Sequence, residues 1–139
     1  MNISLRRARR LEMALRGVSV SGQVASIRTY DTGIARKDLD SAIDALQGNI
    51  EDAVELNEIR YHIRHQINLK NVECGISALL NNKDLLHDEK EHYDYVVGQL
   101  RDITQKLNEI SDTLYQLNND VSIELDEEDI ELLRSKGLL

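Results

Sequence analysis

Residues 100–121 read Leu-Arg-Asp-Ile-Thr-Gln-Lys-Leu-Asn-Glu-Ile-Ser-Asp-Thr-Leu-Tyr-Gln-Leu-Asn-Asn-Asp-Val. Their apolar positions, Leu100, Ile103, Leu107, Ile110, Leu114, Leu117 and Val121, alternate steps of three and four. Such spacing keeps one stripe of an α-helix apolar and is the seam of a coiled coil. A second seam lies upstream, where Leu39, Ile43, Leu46, Ile50 and Ala53 repeat the same steps, with only Gly48 as a weak breaker before Gly75. The chain has 139 residues and no proline, the residue that most often interrupts long helices and their connections. These observations predict a mainly α protein of one domain, 1–139, built as an elongated antiparallel helical hairpin or coiled-coil bundle. A long helix is expected over 38–74, and 38–72 alone is roughly 50 Å long. A narrow hairpin has few layers in which to bury two seams, so two or more copies are expected to share a core.

The flanks complete the expected order of elements. Ser4 is a plausible N-cap for a helix over 4–17 in which Leu5, Ala8, Leu11 and Leu15 share a face and Gly17 supplies the stop. Val18, Val20, Val24, Ile27 and Thr29, with Ser21 and Gly22 between them, predict an extended segment or hairpin over 18–30. A helical stretch over 77–120, in one or two pieces, follows Gly75. Val121, Ile123 and Leu125 then alternate with polar residues, which predicts a short strand over 121–125 able to pair with the extended segment after helix 1. Asp126 is placed to cap a last helix over 127–136, whose acidic first turn, Glu127, Glu128 and Asp129, suits the helix dipole.

Lys and Arg number 17 against 25 Asp and Glu, for a net charge of −8, and there is one cysteine. A lone Cys74 forms no intrachain disulfide, so a stapled secreted scaffold is not expected. No apolar run approaches the roughly 20 residues that span a bilayer, and the six arginines of residues 1–30 lack the apolar core of a signal peptide. A cytoplasmic location and no membrane partner are the expectations. Charge is segregated: the first 20 residues carry +4 and residues 120–139 carry −5. An acidic body with no aromatic interleaving argues against a nucleic-acid partner. The arginines are expected to form a solvated face or to meet the acidic end.

The least ordinary feature lies in the second seam. Continued by the same steps it lands on Asn57, Arg60, Arg64, Asn68 and Asn71, while the apolar residues shift to a neighbouring face at Leu56, Ile59, Ile63 and Ile67. Three readings are open: a solvated face on a helix whose buried side has rotated, a polar layer that fixes register, or a ligand site. In the last case Arg forks bind phosphate in a bidentate manner, and Asn offers both donor and acceptor. His62 with His65, and the single Glu89-x-x-His92 unit, fall short of a di-metal bundle, which needs two such units and two further carboxylates. No metal and no cofactor are expected. Phosphate loops, Cys-x-x-Cys pairs and serine elbows are absent, so no catalytic residue is assigned and an enzyme is not expected.

The segments Ile3-Ser4-Leu5-Arg6-Arg7-Ala8, Ile67-Asn68-x-x-Asn71 and Gly75-Ile76-Ser77-Ala78-Leu79-Leu80 together resemble small helical proteins of tailed bacteriophages. Those proteins are similar in turn to the septicolysin-like helical family. The resemblance covers residues 3–86 loosely and resumes at 121–133. It implies a phage or prophage origin, a helical hairpin, and Asn68 and Asn71 as positions of interest. Two functional expectations follow. One is a non-enzymatic, homo-oligomeric binder that sequesters an anionic small molecule, such as a nucleotide signal of host defence, through Arg60, Arg64, Asn68, Asn71 and Asn57. The other is a structural virion component, or an adaptor or inhibitor that docks on a host protein through its coiled coil and charged ends. A ligand site should be concave and polar, whereas an adaptor should expose a broad apolar face.

Overall fold

The computed structural model describes residues 1–18, 32–92 and 97–139, without the side chains of 32–35 and 97. The chain is mainly helical. Its elements are β1 (Asn2–Ser4), α1 (Leu5–Arg16), α2 (Thr32–Glu73), α3 (Ile76–His92), α4 (Val97–Asp120), β2 (Ser122–Glu124) and α5 (Glu127–Ser135). The extended segment expected over 18–30 lies, apart from Val18, outside the described residues. α2 begins six residues before the expected start at 38, because Gly33 is tolerated within a helix despite its cost of about 1 kcal/mol relative to Ala. The stretch expected over 77–120 is present as α3 and α4.

Among the described residues, β2 pairs with a strand that lies before helix 1. Asn2–Ser4 runs antiparallel to Ser122–Glu124, with Ile3 opposite Ile123. Both isoleucines are buried. The ladder is extended by Leu5 N–H to the Val121 carbonyl at 2.8 Å and by Leu125 N–H to the Met1 carbonyl at 3.0 Å. The terminal ammonium donates to the Leu125 carbonyl at 3.0 Å. A two-stranded ribbon is marginal alone. Here it is held by the core it caps.

That core gathers Leu5, Ala8, Leu11 and Leu15 of α1, Leu56, Ile59, Ile63 and Ile67 of α2, Ile76, Leu114, the two strand isoleucines, Leu125, and Ile130 and Leu133 of α5. The α4 seam is covered within the chain: Ile103, Leu107 and Leu114 are buried and Leu100, Ile110, Leu117 and Val121 are half-buried, with α3 and α1 packed along it. α5 closes with Gly137 at φ 69°, where Gly137 N–H reaches the Arg134 carbonyl and Leu138 N–H the Leu133 carbonyl. This double bond pattern is a Schellman cap.

The turn between α2 and α3 rests on Gly75, at φ 73°, whose N–H bonds the Val72 carbonyl at 3.2 Å. No atom would crowd a Cβ there, so the whole cost of a side chain is the left-handed backbone. Gly75→Ala is expected to lower unfolding stability by about 1–2 kcal/mol. Urea denaturation of the variant measures it, and an unchanged midpoint would contradict this account of the turn.

Candidate functional site

At 100° per residue, Asn57, Arg60, Arg64, Asn68 and Asn71 occupy roughly 80° of the α2 surface. Leu56, Ile59, Ile63 and Ile67 occupy the adjoining arc and point into the core. The stripe therefore straddles a boundary. Arg60 and Asn71, on its core side, are half-buried against α1, whereas Asn57, Arg64 and Asn68 are exposed.

Arg60 does not stand free. Its Nε donates to Glu12 Oε1 at 3.2 Å, and the same carboxylate takes Arg16 Nε at 3.0 Å and Arg16 Nη2 at 2.9 Å. Glu12 is only 6% exposed, so α1 buries one carboxylate and surrounds it with two guanidinium groups. The Arg16 hydrogen bond, resisted by burial and reinforced by the Arg60 bond and the charge of both arginines, holds the Glu12 carboxyl below its ordinary value. Asn71 Oδ1 accepts from Arg9 Nη2 at 2.9 Å, and the Arg9 Nε beside it is buried with no hydrogen-bond partner among the described residues. Two of the five predicted positions thus serve the α1–α2 packing.

The Glu12 pair carries a pH prediction. A carboxyl whose pKa is lower folded than unfolded contributes stability that is whole above the ordinary glutamate value of 4.5 and is lost as pH falls through the folded value. Glu12→Gln should cost about 1–3 kcal/mol near neutral pH and should flatten the loss of stability below pH 4.5. Equal acid sensitivity in wild type and variant would contradict it.

Other groups fall elsewhere. His62 meets α5 rather than His65: its Nδ1 lies 3.8 Å from Asp129 Oδ2, and His62, Asp126 and Asp129 bring one potential ligand atom each within 4.8 Å of one another. Asp126 occupies the N-cap position with extended backbone, yet its side chain makes no capping bond. The cluster is largely open to solvent. Arg6 lies 5.7 Å from the centre of the Tyr115 ring. Among the described residues no ion pair joins Arg6, Arg7, Arg9 or Arg10 to the acidic stretch 124–131. The two ends of the chain meet through backbone hydrogen bonds instead. A groove of about 420 Å³ between α3 and α4 is lined by Leu85, Leu86 and Ile110 with Lys106 and Glu109, and it contains none of the predicted site residues.

Among the described residues, the other half of α2 has no partner. Leu39, Ile43, Leu46, Ile50 and Val54 are each between 42 and 56% exposed, and the first four precede Asp52, which pairs with Lys136 at the C-terminal cap of α5. The sequence placed Leu39, Ile43, Leu46 and Ile50, with Ala53, on a seam that a hairpin would bury. α3 and α4 cover each other, and nothing among the described residues covers this half of α2. Comparison with protein-family models, with curated proteins and with solved structures returns no match.

Proposed function

We propose that this chain is a non-enzymatic structural or adaptor protein whose working surface is the apolar seam of α2 from Leu39 to Val54. A single observation supports this reading: five large apolar residues lie in register on one exposed helix face. Exposed apolar area of that continuity marks an interaction surface, and an amphipathic helix recognises its partner through anchors at such spacing. The phage or prophage origin implied by the resemblance fits a virion component or a host-directed inhibitor. Helix 1 then serves as scaffold, with Arg16, Arg9 and Arg6 spent on Glu12, Asn71 and Tyr115 respectively.

Thiol labelling inside the producing cells tests the reading. With Cys74 replaced by Ala, Ile43→Cys or Leu46→Cys should be protected from a permeant maleimide, while Met13→Cys, at a position 67% exposed, should react at once. Equal reactivity at all three positions would overturn the seam as a docking face.

Nucleotide sequestration is the second reading, favoured by Arg64, which is exposed, flanked by Asn57 and Asn68 on the same face, and outside every ion pair among the described residues. Calorimetry with cyclic and linear nucleotides tests it. Heat of binding in wild type that disappears in Arg64→Ala would establish an anion site on the stripe. Absence of heat in wild type would remove the reading.

A further inference from the structure

We infer that the occupant of the α2 seam is a second copy of this chain, paired as a parallel two-stranded coiled coil over residues 39–57. The inference rests on the docking reading above and names its partner. In heptad terms the seam has Leu39, Leu46 and Ala53 at d and Ile43, Ile50 and Asn57 at a. Branched Ile at a with Leu at d is the combination that favours two parallel strands, and one Asn at a sets register.

The flanking positions do not oppose pairing with self. Partner choice between different helices is written in charges at e and g, and the facing g–e′ pairs here are Ala42 with Gln47 and Asn49 with Val54, all neutral. Two copies therefore meet without a like-charge pair across the seam. Most charges of the segment lie on the outer positions: Lys37, Asp44 and Glu51 at b, Asp38 and Asp52 at c, and Glu55 at f, with Asp40 the one charge at e, opposite the neutral Ala35 at g′, and Arg36 at the a position just before the seam.

The body of the protein dictates where pairing stops. After Asn57 the same track runs to Arg60, which is held by Glu12 of its own chain, and then to Arg64, which would face its counterpart with like charge. Leu56 and Ile59 meanwhile turn into the core. The two helices must splay at Asn57. Because α2 is already a continuous helix anchored in the body at its C-terminal half, pairing does not bear the cost of helix nucleation. Residues 36–55 carry two bases and six acids, so each copy's flank repels the other weakly, and added salt should tighten the dimer by screening.

Site-directed disulfide formation on the purified full chain, in the Cys74→Ala background, tests the geometry. In a parallel register position 43 faces position 43, within the span a disulfide can bridge. Ile43→Cys alone should give a covalent dimer under mild oxidation, and sedimentation should show self-association that strengthens with salt. Ile43→Asp with Ile50→Asp should weaken association by about a hundredfold or more, as loss of two buried branched side chains requires, with helicity by circular dichroism retained. Failure of Ile43→Cys alone, with cross-linking when Leu46→Cys is mixed with Ile50→Cys, a d residue opposite an a residue, would overturn the parallel arrangement. A chain that stays at 15.9 kDa and never cross-links would overturn self-pairing. The docking reading is scored separately, by protection of the same thiols in cells.

Discussion

Ile63→Ala is expected to remove about 3–4 kcal/mol of unfolding stability. Ile63 is fully buried in the middle of the α2 face that meets α1 and α5, and truncating a buried Ile to Ala costs 2–5 kcal/mol through lost transfer energy and the cavity left behind. A domain of this size has about 5–15 kcal/mol in total, so the variant should sit close to its unfolding transition at 37 °C. Leu46→Ala is the control. Its side chain is nearly half exposed, so in dilute protein the same truncation should cost under about 0.5 kcal/mol. Chemical denaturation of both variants at low concentration checks the contrast, and similar losses would mean that the two halves of α2 are not packed as described.

The second large effect concerns association. Ile43→Asp with Ile50→Asp places two carboxylates in a row whose other a and d residues from Leu39 to Asn57 are apolar or neutral. Each would have to be desolvated without a partner for the helices to pair, so the proposed self-association should weaken by about a hundredfold or more. The same pair should leave the isolated fold unharmed, because both isoleucines are about half exposed. Sedimentation and thermal melts measured side by side separate the outcomes. A collapse of the melting transition in dilute solution would assign these residues to the core instead.

Much of the fold was legible because long helices announce themselves through spacing. Leu100 to Val121 marked α4 and its buried side, and Leu56, Ile59, Ile63 and Ile67 marked the buried arc of α2. β1 was not legible: three residues with one apolar side chain, Ile3, give alternation nothing to repeat, and the strand exists because Ile123 and the core lie across from it. Which seam remains open could not be read from either seam alone. It depends on α3 lying along α4 while the first half of α2 runs past the body.

The candidate site divides along the same line. The polar continuation of the seam was visible, but its meaning lay in α1, since Glu12 turns inward and takes Arg60 and Arg16 together. Glu12 and Arg16 at i, i+4 were the local signal. The long-range partner, 48 positions away, left none. His62 likewise pairs with Asp129 across a sequence distance that no motif spans, which is why His65 looked the nearer companion.

Hydrogen exchange of the unmodified chain across a range of protein concentrations tests the central claim most directly. Amides of residues 38–54 should become markedly slower to exchange as concentration rises, while those of 56–67, already fixed by the core, should hold constant. Exchange over 38–54 that is fast and independent of concentration, with sedimentation returning 15.9 kDa throughout, would contradict the assignment of this seam to a paired helix.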